Sequence, residues 1–178
     1  ARTNDFLSTI LQIESFHLYR SHSFLVLPYY PFGTLNDMVN QCRTNPIDPK
    51  KTIAEELAFF FAYEVIKAVE LCHACGIIHS DIKLDNFLIK SGRVTDAKNL
   101  GVWNGARPTG GWEKYGVTLI DFGRSIDTRC YPGNTKFTGD AHVVEYQHPK
   151  AKDMPWGFEV DVYAVACVIH LLVFGEYL

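Results

Sequence analysis

Between His79 and Asn86 the chain reads His-Ser-Asp-Ile-Lys-Leu-Asp-Asn, a cluster of polar side chains inside the apolar frame of Ile77-Ile78 and Phe87-Leu88. Transfer of a phosphoryl group to a hydroxyl needs a carboxylate that orients the hydroxyl and accepts its proton. It also needs a cation to meet the migrating group and an amide oxygen to help hold a metal. Asp81, Lys83 and Asn86 supply those types in that order. A second carboxylate follows at the end of a short apolar run, Val117-Thr118-Leu119-Ile120, in the turn Asp121-Phe122-Gly123. Either motif alone is compatible with a polar turn between a helix and a strand. The two in this order, each against a β-like run, point to phosphoryl transfer.

These side chains need rigid elements to hold them. Ile53, Leu57, Phe60, Phe61, Val65, Ala68, Val69 and Cys72 recur at helical spacing, so a long helix is expected to lead into the polar loop. Thr52 with Glu55 forms a capping-box signature at its start, and Gly76 stands where a helix ends. Phe87-Leu88-Ile89 is expected as a strand that anchors Asn86. Residues 156–161 lead into an apolar helix through Phe174, stopped by Gly175 and expected to be buried on all sides.

Toward the N-terminus, Phe16–Tyr19 and Ser23–Leu27 read as two short strands around Arg20-Ser21-His22, stopped by Pro28 and Pro31. Residues 6–13 are either a helix end or a packed connector. Gly33–Val39 turns into a short helix, and Asn45–Lys50 is a proline-punctuated loop. Ser91–Tyr115, with five glycines and the tryptophans Trp103 and Trp112, is an insertion. Such a loop serves as an interaction surface or folds back on the protein.

The chain's 178 residues fit one domain, and 47% hydrophobic with 21% charged residues is a globular balance that excludes a disordered chain. A net charge of −3 supplies neither a basic footprint for nucleic acid nor a polybasic patch for a membrane. The longest apolar stretch, Val162 to Phe174, is short of the ~20 residues a membrane span needs. No secretory signal is visible at Ala1–Asp5. Five cysteines, an odd number, favour reduced thiols in an intracellular protein. Cys72-His73-Ala74-Cys75 closes a helix rather than opening one, and no second Cys/His pair lies at zinc-site spacing, so packing is the expected role.

The loop resembles the H-R-D-L-x-x-x-N motif of protein kinases, with Ser80 in place of the usual arginine, and Asp121-Phe122-Gly123 resembles their D-F-G turn. Ile77 through Phe87, Ile120 through Asp127, Phe137-Thr138 and Trp156 through Asp161 are similar to mitotic checkpoint kinases of the budding-uninhibited-by-benzimidazole (BUB) type. That resemblance implies an α+β kinase-like fold. Residues 1–27 would be the end of the small lobe, 28–33 the hinge and 34–178 a mostly helical large lobe, truncated at both ends. It implies Asp81 and Lys83 as catalytic residues, and Asn86 and Asp121 as Mg²⁺ ligands. ATP would lie against Leu27 at the gatekeeper position, Tyr29, Tyr30 and Leu88, with Tyr30 donating to adenine because Pro28 has no N–H. Asp161 resembles the aspartate that tethers the catalytic loop from beneath, and His73 a histidine common before that loop. Val143-Val144-Glu145 stands weakly for A-P-E. Thr135 and Thr138 are more simply surface hydroxyls than phosphosites.

The implied function is a serine/threonine kinase of the spindle assembly checkpoint, in the nucleus at kinetochores and otherwise cytoplasmic. Its implied partners are a protein substrate, with a core histone as a candidate, and checkpoint and kinetochore proteins, but neither nucleic acid nor membrane. The alternative is a pseudokinase scaffold or interaction module of the same family. No glycine precedes Gly33 and no lysine precedes Lys50, so the Gly-rich loop and third-strand lysine are missing. The 178 residues alone are therefore expected to be inactive.

Overall fold

The structure, a computed structural model, describes residues 9–44, 53–90, 112, 115–139 and 154–176. Its elements run β1 (Ser15–Leu18), β2 (Ser23–Val26), α1 (Leu35–Thr44), α2 (Glu55–Ala74), β3 (Ile77–Ile78), β4 (Phe87–Ile89), β5 (Val117–Leu119), β6 (Ile126–Asp127) and α3 (Glu159–Phe174). The strands form three antiparallel pairs, β1 with β2, β3 with β6 and β4 with β5.

The core lies between α2 and α3. Every apolar position expected on the inner face of α2, from Leu57 to Cys72, is buried and meets Ala164, Cys167, Val168, Leu171 and Leu172 of α3 in one cluster. Each large side chain buried this way contributes about 1.5–3 kcal/mol over exposure, so this pair of helices is the frame on which the loops rest. The start of α2 differs from expectation. Ala54 occupies the N-cap without a side-chain bond, and Thr52 lies outside the described residues. Ile53, just before it, is buried, and Glu55 and Glu56 suit the positive end of the helix dipole. At the other end Gly76, at φ +75°, donates its N–H to the carbonyl of His73 at 2.9 Å.

The capping box forms one helix earlier. Thr34 N–H donates to Asp37 Oδ2 at 2.8 Å and Asp37 N–H to Thr34 Oγ1 at 3.1 Å, and α1 extends to Thr44. Helix α3 ends as expected, with Gly175 in the left-handed region donating to Leu171. It does not bury every face: Val162 and Phe174 are 59% and 63% exposed, because α2 covers only one side among the described residues.

Strands β4 and β5 pair Leu88 with Thr118. Ile10 bridges Leu119 in parallel and Leu11 N–H donates to its carbonyl at 3.1 Å, so the described part of segment 6–13 is a packed connector. The β1–β2 hairpin leaves Phe16, Leu18, Phe24 and Leu25 more than half exposed. Of the tryptophans in the expected insertion, Trp112 folds back onto α2, 3% exposed and 4.9 Å from the Phe60 ring. Trp103, Asn45–Lys50 and Val143-Val144-Glu145 lie outside the described residues.

Candidate active site

The polar loop leaves β3 at His79 and enters β4 after Asn86. Asp161, buried at the start of α3, anchors it: Oδ2 accepts the N–H of His79 at 2.7 Å and Oδ1 the N–H of Ser80 at 2.8 Å. His73 Nε2 approaches the same carboxylate at 3.0 Å. Ser80 sits at φ +58°, a left-handed conformation costing a non-glycine residue about 1–2 kcal/mol. Hydrogen bonds to a charged acceptor contribute about 1.5–3 kcal/mol each, enough to hold the turn.

That turn aims Asp81 at its neighbours. Asp81 is 6% exposed, and its Oδ2 accepts Lys83 Nζ at 2.9 Å and Asn86 Nδ2 at 3.1 Å. Asn86 Nδ2 also donates to the Asp81 carbonyl at 2.7 Å, which leaves the amide oxygen as Asn86's acceptor. Asp81 Oδ1 is buried and has no hydrogen-bond partner among the described residues. A buried carboxylate oxygen without a donor is costly, so this atom suits an incoming hydroxyl.

Asp121 arrives from the other side. Strand β5 ends where Ile120 N–H donates to the carbonyl of Asn86 at 3.0 Å. The next residue, Asp121, adopts φ +64° and accepts Gly123 N–H on Oδ1 at 3.4 Å. Its side chain is exposed. Asn86 and Asp121 offer the hard oxygen donors that Mg²⁺ prefers.

His79, fully buried, lies in the middle. Its Nε2 donates to Ile120 O at 3.0 Å and its Nδ1 accepts the Asp81 N–H at 3.3 Å, which defines a neutral imidazole. Burial holds its pKa below the usual value, against the raising effects of the Ile120 carbonyl and of Asp161, Asp81 and Asp121. Burial, followed by the charge of Asp161, pushes the Cys72 thiol up to about 12. That is an inert packed thiol rather than a redox or zinc ligand. The five cysteines form no disulfide, and the described residues include no group of three or more His, Cys, Asp or Glu able to hold a metal.

Asp81, Lys83 and Asn86 are thus brought into one bonded unit, and Asp121 follows the residue bonded to Asn86. The residues expected around ATP divide. Tyr30 accepts the Thr118 hydroxyl at 3.2 Å, and Thr118 is the register partner of Leu88, so Tyr30 and Leu88 meet at one strand pair. Gly33 and Thr34 join that pair through Ile89 N–H and the bridge from Thr34 to Leu88. Leu27 and Tyr29 stand outward, 38% and 88% exposed. Sequence reasoning missed Thr118, whose signal was a lone hydroxyl in an apolar run. It also assigned no role to Ser125, which donates to the His79 carbonyl at 3.3 Å.

The described fold and loop define a protein kinase. Residues 3–178 match the protein kinase domain family, and the chain belongs to it. In sequence it is 35% identical over 178 residues to the spindle assembly checkpoint serine/threonine-protein kinase BUB1 of Saccharomyces cerevisiae, covering 99% of this chain and 17% of that protein. It is 34% identical over 163 residues to the mitotic checkpoint serine/threonine-protein kinase BUB1 of Arabidopsis thaliana, covering 91% of this chain and 30% of the relative. The chain therefore spans less than a third of either relative. A crystal structure of the BubR1 kinase domain superposes with a TM-score of 0.75 at 24% identity, over 97% of this chain and 46% of that one, in agreement on the fold. The expected α+β kinase-like architecture and the resemblance to BUB-type kinases are both borne out. No helix among the described residues is long and apolar enough to cross a membrane.

Proposed function

We propose that this chain carries the phosphoryl-transfer site of an active serine/threonine protein kinase, moving the γ-phosphate of ATP to protein hydroxyls in spindle checkpoint signalling. The observation that carries this reading is the Asp81 carboxylate: Oδ2 is held by Lys83 and Asn86, while Oδ1 is buried and free of donors among the described residues. Oδ1 is the atom that accepts the hydroxyl proton as the phosphoryl group leaves ATP. Lys83 offers its ammonium to the migrating group, and its position two residues after Asp81 fits a serine or threonine acceptor. Bound Mg²⁺ would neutralise phosphate charge, and Asn86 Oδ1 with the Asp121 carboxylate would hold it. Tyr30 would donate its backbone N–H to adenine, with Leu27, Tyr29 and Leu88 around the base.

On this reading the substrate is a protein, with a core histone as a candidate, and the site of action is the nucleus at kinetochores, otherwise the cytoplasm. Checkpoint and kinetochore proteins are the partners. The test is single-turnover transfer from radiolabelled ATP to a histone by the protein at its full natural length, alongside Asp81→Asn. Loss of the proton acceptor should slow transfer by roughly 10²- to 10⁴-fold. A parent protein that transfers nothing would favour the scaffold alternative, and an Asn variant as fast as its parent would remove Asp81 from the chemistry.

A further inference from the structure

We propose that Ser80 and Ser125 form a reciprocal hydroxyl latch that sets the Asp121 turn against the catalytic loop. Ser80 Oγ donates to the carbonyl of Arg124 at 2.7 Å, and Ser125 Oγ donates to the carbonyl of His79 at 3.3 Å. Consecutive residues on one segment thus exchange bonds with consecutive residues on the other. One such bond would leave a pivot, whereas two in opposite directions fix both distance and rotation.

The latch closes a short bridge. Before Asp121 the chain is tied to Asn86 by the N–H of Ile120, and beyond Ser125 it pairs in register, Ile126 with Ile78. Residues 121–125 therefore run between two attachments that flank Asp81 on the catalytic loop, with Phe122 packed edge-to-face on the His79 ring at 4.9 Å between them. Anything that loosens the second attachment lets Asp121 drift relative to Asn86 and Asp81.

The choice of serine at position 80 supports this role. Glycine would adopt φ +58° without strain, and serine pays for that conformation. What the serine adds is its hydroxyl, and the hydroxyl is spent on Arg124. Ser80 and Ser125 are positioning residues: they act through the backbone of Arg124 and His79, and their effect on turnover rests on the kinase reading above.

The experiment uses the full-length protein after phosphatase treatment, with Ser80→Ala, Ser125→Ala and Ser125→Thr. Without nucleotide, amide hydrogen exchange across residues 121–127 should speed by roughly threefold to tenfold in each alanine variant, the range expected for one lost hydrogen bond. With ATP·Mg and a histone, kcat should fall by a similar factor while the KM for the protein substrate stays put. Ser125→Thr, which keeps the hydroxyl at an extended position, should restore both readouts. If Ser80→Ala does not fold, Ser125→Ala and its threonine rescue carry the test.

Unchanged exchange in the folded alanine variants, or a threonine that fails to rescue, overturns the latch. A parent without phosphoryl transfer would instead sink the kinase reading, and the exchange rates would still decide the latch.

Discussion

Asp161 Oδ1 accepts the backbone N–H of Ser80 at 2.8 Å across 81 positions of sequence, and this bond holds the turn on which Asp81 is presented. The other oxygen takes His79 N–H, so both carboxylate oxygens have a backbone donor, and the side chain is 1% exposed.

Asp161→Asn replaces one acceptor oxygen with an NH₂ that faces a donor, leaving a buried N–H without its partner. The expected loss is about 3 kcal/mol, measured as a lower urea midpoint at unchanged slope. A loss under about 1 kcal/mol would mean that the loop is held by something else.

The buried imidazole of His79 gives a pH dependence with a defined sign. Desolvation lowers its folded pKa below the ordinary 6.5, so the unfolded chain binds the proton more readily. Its contribution is full above pH 6.5 and is lost as pH falls from there toward the lower folded value. Melting temperatures should fall for the parent as pH is lowered below 6.5. In His79→Gln the slope should be shallower, on top of a uniform loss of stability. Parallel curves would exclude His79 as the source.

Asp121→Ala separates chemistry from folding. The side chain is exposed and makes one long bond, so the main structural cost is alanine in a left-handed conformation, about 1 kcal/mol. On the proposed reading, in which Asp121 would hold Mg²⁺, phosphoryl transfer in the full-length protein should nonetheless fall by at least about 10²-fold. A variant with near-parental turnover would show that the metal is held elsewhere.

Tyr30→Phe and Thr118→Val each remove one side of the hydroxyl bond between Tyr30 and β5. Each should weaken ATP·Mg binding by roughly threefold to tenfold in calorimetry, and the double variant should be little worse than either single, since they share one interaction. Additive losses would mean that the two residues act separately.

Much of the site was legible in the sequence because residue type and local spacing carry it. Asp81, Lys83, Asn86 and Asp121 announce a phosphoryl-transfer chemistry by their types and order. The apolar period of α2 and the glycines at 76 and 175 set the helices and two of their ends, since these depend on neighbours three or four positions away.

The tertiary structure alone decided which partners those residues meet. It placed Trp112 on Phe60 rather than in solvent, left one face of α3 exposed, and put Ala54, which makes no side-chain cap bond, at the N-cap of α2. It also bent Ser80 into the left-handed region, tied its hydroxyl to Arg124 and left Asp81 Oδ1 without a donor among the described residues. The physical reason is range: periodicity and capping act over a few residues, whereas these contacts join positions 44 to 82 apart in the chain and exist only once α2 and α3 have packed.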